Sequence, residues 1–551
     1  MTREKRKLLF AAWACHNKNY ASDQSWRIPL QKIFPELITF DPQEEMYRYG
    51  QKAMNERFLA LVKHERPDYI FLWIIYDELY LETLLKVKEI VPTTKIINFF
   101  GDDDLLFTNS SRYYALFCDY GLIFHSAFMP AYNREGIRNV FPFSGVNTNT
   151  FRPLHLPKVY DVTFIGTPKR DRTDFIKHLV THGIAVRVFG AGWESTPHLL
   201  AYYGGKLTHE EYVRVLNQSK INLSFSKNYE GVQSYKGRVA EIAACHSFAL
   251  SEYFDDYEHI LADGKEIVMF RDKDELLKKV RYYLRHEKER EAVAQRAYRK
   301  VVTKFAHEKV FAAIFSAIAK DLTSQKTQLP PLTKKVCSLW CNEVATCNYA
   351  EIKAKVQDAA YITFRDDTSV ASSYKDVLQV YGLEKSPEEM SCCDYYLASP
   401  SLGVTLAIYA KQVSKNLKRT EAASLLMPEQ LVVRTSFFLK NLKAFKRACA
   451  LKRVDFVNEK NTTFVSLPLL KVQRRCRIPA HFPENACAYK YEDVLRSLSI
   501  QGNLFARPYL YRLLAYSLLN DRFILKRLYR RWVNTLRLGA RIRTISFEKT
   551  H

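Results

Sequence analysis

No part of the 551-residue chain approaches the ~20 consecutive apolar residues that a membrane-crossing helix requires, so the sequence predicts no such helix. Glycine and proline are scarce, at 18 and 20 residues, which leaves no room for long flexible or low-complexity segments, and no internal repeat is present. The eleven cysteines are odd in number and scattered from Cys15 to Cys487 without a framework of pairs, a pattern that fits reduced thiols in a cytosolic compartment. Cys337, Cys341 and Cys347 depart from paired CxxC spacing and have no evident fourth ligand, so they read as small buried hydrophobes rather than a metal site. The spaced-glycine dinucleotide fingerprint is missing, as are helix-turn-helix, zinc-finger and ribonucleoprotein signatures, so no specific nucleic-acid partner is expected. Acidic residues are outnumbered 59 to 83, and the resulting charge of +24 attracts polyanions: nucleotide donors or an anionic lipid surface.

What is present is a folded chain, 47% apolar and 13% aromatic, long enough for two or three domains of roughly 100 to 200 residues. The start, Met1 to Lys7 followed by Leu8 to Cys15, has the outline of a signal peptide, but the apolar run is short and His16 to Asn19 follow at once; it reads instead as a first buried strand. A helix over Ser25 to Phe34, a strand over Leu37 to Phe40 and one long helix over Met46 to His64 come next. Strands at Tyr69 to Ile75, Lys95 to Phe100, Leu122 to Phe124 and Asn139 to Phe141 alternate with helical stretches, as a doubly wound parallel sheet does. Gly145 to Pro153 reads as a hinge into a second half, and the amphipathic stretch Phe305 to Ala319 is long enough to lie back across the first.

The chemistry concentrates in that second half. Lys236, Arg238 and Glu241 stand at the mouth of an apolar helix-then-strand pattern, where two cations can neutralise phosphate oxygens and a carboxylate one helical turn on can accept hydrogen bonds from ribose hydroxyls. The alternative is a surface ion pair. Asp161 to Gly166 is a buried strand ending in glycine, followed by Lys169, Arg170 and Arg172; Ala185 to Gly190 repeats the pattern, and Ile221 to Ser226 is a third strand. Gly190 and Gly192 could equally mark an ordinary tight turn. In the first half, Gly101-Asp102-Asp103-Asp104 follows a strand directly. Three adjacent carboxylates repel, which can raise a pKa toward that of a general base, while a solvated turn with a helix cap explains the same residues.

Phe99 to Asp104, Ser144 to Asn147, Tyr160 to Gly166 with Arg172, Phe189 to Trp193, Lys236-Gly-Arg238 with Glu241, and Asp263 to Glu266 together resemble the CgeB-like, spore-maturation-type glycosyltransferases of the two-Rossmann GT-B class, over residues 8 to 320. The resemblance implies two Rossmann-like domains with a cleft between them. The first, 1–150, would hold the acceptor; the second, 151–322, the nucleotide sugar. It implies Glu241 on the ribose and Lys236, Arg238 and Arg172 on the departing diphosphate without a metal. The strand-end pattern adds Gly166, Arg170 and Gly190 to the candidate donor site, and the carboxylate cluster offers Asp102 or Asp103 as the catalytic carboxylate. This chain departs from the family at Cys245-His246, where a glycine is common, and at Glu230, eleven residues before Glu241.

Residues 323–333 read as a linker, and 334–551 as an α/β or mainly α accessory domain. Asp358 to Thr368 and Leu426 to Arg434 weakly resemble family-two, GT-A type glycosyltransferases. Magnesium or manganese would be needed only if the Asp366-Asp367 region is active; Thr368 stands where a second metal-binding aspartate would be expected, and the linker leaves little room for a nucleotide-binding half, so a degenerate domain that recognises acceptor or partner is the reading. A basic amphipathic tail over Arg507 to Arg543 could lie on an anionic membrane or pack on its own domain. The expected activity is sugar transfer from a nucleotide-sugar donor to a glycan, lipid-linked or protein acceptor in cell-surface glycoconjugate synthesis, in the cytoplasm or at the inner face of the membrane. The alternatives are a non-catalytic scaffold that binds nucleotide sugars or glycans, and a bifunctional enzyme with a second active site.

Overall fold

The computed structural model describes residues 6–16, 22–74, 78–169, 171–227, 231, 233–321, 334–367, 369–371, 374–399, 404–408, 428–451, 454, 457 and 462–472. Arg170, Glu230, Thr368, the 323–333 linker and the basic tail over Arg507 to Arg543 lie outside the described residues.

Three sheets organise these residues. The first runs β2-β1-β3-β4-β5-β6, all parallel, from β1 (Lys7–Ala12), β2 (Glu36–Phe40), β3 (Tyr69–Trp73), β4 (Lys95–Phe100), β5 (Tyr120–Ile123) and β6 (Val140–Pro142). The second, also parallel, runs β11-β10-β9-β7-β8 from β7 (Tyr160–Ile165), β8 (Val186–Phe189), β9 (Ser219–Ser224), β10 (Ala249–Glu252) and β11 (Val268–Phe270). Each sheet starts in its middle, steps outward, then reverses past its first strand, so each has a switch point: β1/β3 in one, β7/β9 in the other. Loops diverge there and leave a crevice at the carboxyl ends of the strands. This is the two-Rossmann architecture of the GT-B class.

The expected single helix over Met46 to His64 is two, Pro42–Tyr49 and Gln51–Glu65, broken at Gly50. Gly50 has φ +86°, a conformation that ends the first helix and that a side chain disfavours. Asp41 caps the first helix through the backbone N–H groups of Gln43 and Glu44.

The halves are joined twice. The chain leaves the first through Gly145 and Val146, and returns at Ala306, where Val146 N–H donates to Phe305 O and His307 N–H to Val146 O. The helix His307–Lys320 then crosses back onto the first sheet, as its apolar stripe predicts. Phe311 and Phe315 are buried there against Trp26, Phe34 and Phe71, with Phe311 5.0 Å from the Phe143 ring. A stretch distant in sequence thus closes the first domain's core.

The accessory domain is α/β. Its seven-stranded mixed sheet runs β12-β13-β17-β15-β18-β14, with β16 beside β15, from β12 (Val336–Trp340), β13 (Tyr361–Arg365), β14 (Ser369–Ala371), β15 (Met390–Ser399), β16 (Val404–Ile408), β17 (Leu431–Arg434) and β18 (Thr462–Val472). One continuous apolar core runs from the first sheet's helices into this domain.

Replacing Phe311 by alanine should lower the stability of the first domain by about 3–5 kcal/mol, the usual loss for emptying a packed aromatic site. Calorimetry should show the unfolding transition that includes the first domain moving to lower temperature.

Candidate active site between the two sheets

Four cations of the second domain converge at its switch point. Lys169 stands in the loop after β7 and Arg172 opens the helix Arg172–Thr181; Lys236 and Arg238 lie after β9, with Arg238 the first residue of the helix Arg238–Ala244. Burial lowers the pKa of Lys169, and the adjacent Arg172 and Arg238 lower it further, while Asp102 and Asp104 pull it back up. Lys236 is lowered by burial as well, opposed by the same two carboxylates. Carboxylates from the first domain therefore face cations from the second across the cleft. Gathering like charges in a part-buried space is unfavourable unless an anion joins them, and a diphosphate brings the required charge.

Backbone geometry seats these side chains. A Cβ on Gly166 would come 2.9 Å from the Phe164 ring and 3.4 Å from the Arg238 guanidinium, so glycine lets that guanidinium lie against the strand end. Gly190 has φ +116°, and a Cβ there would meet Gly166 O at 2.7 Å. Both expected donor-site glycines thus serve the approach of two loops, locked by Trp193 Nε1 donating to Gly166 O at 2.6 Å.

Arg238 lies over the Phe164 ring at 5.4 Å. Glu241, one turn on, accepts a hydrogen bond from Tyr212 OH at 2.5 Å, and burial raises its pKa while Tyr212 and Arg238 oppose the rise. Arg172 is buried and committed to the backbone, donating to Thr167 O at 3.2 Å and Lys227 O at 3.0 Å. It fixes the loop that carries Lys169 and supplies charge from beneath.

The three aspartates divide. Asp102 opens to water on one side and is enclosed by protein on the others; burial, then Asp104, raises its pKa against Lys236 and Lys169. Asp104 turns toward His125, whose Nε2 lies 3.7 Å from Asp104 Oδ1. Asp103 faces away from both, buried in the first domain, where Tyr132 OH donates to it at 3.1 Å; its pKa is pushed up to about 7, by burial first. Helix geometry explains this, since the helix Asp103–Leu106 begins at that residue and aims successive side chains in different directions.

His125 was not singled out by sequence reading. It follows β5 at the carboxyl end of the sheet, and its Nδ1 accepts the Tyr235 backbone N–H of the second domain at 3.1 Å. The lone pair so used leaves the proton of the neutral ring on Nε2, toward Asp104. The adjacent Ser126 hydroxyl donates to Asp256, so two consecutive residues of one domain are bonded to the other. A histidine immediately after an apolar strand was the available signal.

Other matched words serve structure. Asp263 Oδ1 accepts from Gly264 and Met269 N–H, and Glu266 pairs with Lys300 at 2.6 Å. His246 occupies the left-handed region at φ +51°, where the family has glycine, and packs against Tyr298 at 5.3 Å; it ends the helix that Arg238 begins, far from the cations. In the accessory domain Asp366 is buried and Asp367 exposed after β13. A fully buried lysine, Lys375, donates to Thr363 Oγ1 at 3.0 Å and lies 3.4 Å from Asp376, placing a protein cation beside this strand end. Among the described residues no three His, Cys, Asp or Glu side chains gather as a metal site.

Residues 170–316 match the family described as glycosyl transferase-like. Spore protein CgeB of Bacillus subtilis (strain 168) is 21% identical over 331 residues, covering 55% of this chain and 91% of that protein. Among solved structures, Anabaena HepE in complex with UDP is similar at TM-score 0.42 and 10% identity, over 57% of this chain and 99% of its own. The sucrose-phosphate synthase of Thermosynechococcus elongatus is similar at TM-score 0.40 and 12% identity, over 58% and 100%. The chain is a weak homologue of CgeB and carries a glycosyltransferase-like domain over residues 170–316.

The His125–Tyr235 bond makes the contact between the two domains pH-dependent. Burial lowers the His125 pKa below 6.5, Lys236 lowers it further, and Asp104 and Asp256 oppose. With a depressed histidine the folded state has its full stability above the unfolded pKa, and stability is lost as pH falls below about 6.5. Asp41 and Asp103, pushed up to about 6 and about 7 by burial, act with the opposite sign, so the difference from a variant is the readout. From about pH 8 to about pH 5, wild type should lose more thermal stability than His125→Asn, whose amide oxygen accepts the Tyr235 N–H without titrating.

Proposed function

We propose that this glycosyltransferase seats the diphosphate of a nucleotide sugar against Lys169, Lys236 and Arg238, with Glu241 accepting ribose hydroxyls, and transfers the sugar to an acceptor hydroxyl on the side of Asp102 and His125. The observation that carries the reading is the convergence of four part-buried cations at the β7/β9 switch point, opposite carboxylates of the other domain. In the step itself the bond from the anomeric carbon to the phosphate oxygen breaks, and one to the acceptor oxygen forms. The acceptor proton passes to Asp102, whose raised pKa suits a base, and the nucleoside diphosphate leaves with the bonding pair.

Negative charge grows on the leaving oxygens, and cations fixed by the backbone stabilise it more in the transition state than in the ground state. Arg172 is a positioning residue beneath the loop. Asp103 takes no part, because its carboxyl is committed to Tyr132 inside the first domain. Acceptors of this reading are a glycan, a lipid-linked sugar or a protein. The excess of positive charge suits attachment to an anionic membrane from the cytoplasmic side, where glycoconjugate precursors of the cell surface would be met.

Thermal shifts with UDP, GDP, CDP, dTDP and ADP test the site. The cognate diphosphate at a hundred times its Kd should add about 2.7 kcal/mol of stability. Lys236→Met and Arg238→Ala should weaken it about ten- to a hundredfold, the loss expected of charge-assisted hydrogen bonds. No response to any diphosphate would sink the reading, and binding without turnover of the matching nucleotide sugars would favour a scaffold.

Asp102→Asn should abolish transfer while leaving diphosphate affinity intact, whereas Asp103→Asn should keep activity and raise stability above about pH 7, where the native carboxyl must otherwise ionise in a buried site. Rates and denaturation midpoints of the two variants, compared at one pH, check the assignment.

A further inference from the structure

The accessory domain docks on the parts of the first domain that extend from the acceptor-side loops. The chain that leaves Asp104 runs through Phe107–Ser111 into the short helix Arg112–Ala115; the chain that leaves His125 runs through the helix Met129–Arg134 to Glu135. These two continuations meet in a buried ion pair, Arg112 Nη1 to Glu135 Oε1 at 3.3 Å, with both side chains less than a tenth exposed. The helix Lys375–Glu384 of the accessory domain closes over the pair. Tyr381 OH donates to the Glu135 carboxylate, its ring lies 5.9 Å from the Arg112 guanidinium, and Lys385 Nζ donates to Arg134 O at 3.3 Å. Gly382 sits where a Cβ would come 2.5 Å from Tyr113 OH and 3.4 Å from Arg112 Nη2. β18 also runs alongside Phe107–Ser111.

We propose that the accessory domain positions the acceptor side of the cleft: Tyr381 and Gly382 hold the Arg112–Glu135 pair, and through it the loops carrying Asp104 and His125. The inference rests on the donor and acceptor assignment above. Physically, a buried ion pair keeps one geometry more firmly the more of its hydrogen bonds are made: Tyr113 OH of the first domain accepts from Arg112 Nη2 at 2.9 Å, and the accessory domain adds the Tyr381 hydroxyl on Glu135. Arg112, Glu135 and Tyr381 act as positioning residues, since none of them lies at the cleft. The family match ends at residue 316, before this domain begins, so the match itself assigns it no role.

The test uses the full-length chain with Tyr381→Phe, which removes one hydroxyl and keeps the ring, and Gly382→Ala, which favours the helix yet pushes against Tyr113. Phe438→Leu, in the accessory core where the ring packs on Phe364 and Phe445, is the control for general destabilisation. The first readout needs no substrate: histidine-selective NMR follows the His125 ring through a pH titration. Both dock variants should move its midpoint up toward 6.5, as the ring gains freedom to leave Tyr235, while Phe438→Leu should leave it in place. The second readout is turnover, which should fall about tenfold or more in the dock variants through misplacement of reacting groups, with diphosphate Kd unchanged.

A His125 titration and a turnover identical to wild type in both dock variants would overturn the proposal. So would an equal change in Phe438→Leu, since the effect would then be one of stability alone. A wild-type chain that bound no nucleoside diphosphate would remove the donor reading, and the imidazole titration would still decide this one.

Discussion

Charge opposed across a cleft is the constraint on which the rest of this structure depends. The second domain brings four cations to one switch point, and the first answers with Asp102 and Asp104. Neither set is comfortable alone, because like charges in a poorly solvated space repel and cannot fully hydrate. Facing each other they are partly compensated, yet cations still outnumber carboxylates. The surplus is the charge on which the proposed diphosphate site rests, and it follows from the placement of loops at the carboxyl ends of parallel strands.

The scaffold serves that opposition. Gly166 and Gly190 remove side chains where two loops must touch, and Arg172 spends its hydrogen bonds on backbone carbonyls to hold the loop of Lys169. On the opposing wall, His125 accepts an N–H from Tyr235, so the first domain is hydrogen-bonded to the loop that carries Lys236. The helix His307–Lys320 returns to the first core and ties the second domain's end to the first domain's stability. The accessory domain extends the same logic outward by packing on the helices that continue from the cleft loops.

Much of the site was legible in the chain because its parts are local. Lys236, Arg238 and Glu241 lie within six residues at a loop-to-helix junction, and their meaning follows from strand ends and helix periodicity alone. The strands of the first two sheets also stood out, since fully buried parallel strands are short continuous apolar runs. His125 was not legible in the same way: its partner Tyr235 is 110 residues distant, and a histidine after a strand carries no weight until the other domain is beside it. The break at Gly50 was hidden because the helical pattern continues on either side of it.

By itself the sequence determined a two-Rossmann protein with a cluster of cations in its second domain, since apolar period, glycine placement and adjacent cations are properties of short segments. Only the tertiary structure decided which of three neighbouring aspartates faces the cleft, that Arg172 works through the backbone, and that a third, mixed sheet packs against the first domain. The reason is physical: a side chain's charge and reach are set by its own chemistry, but its direction, solvation and partners are set by segments far along the chain that pack against it.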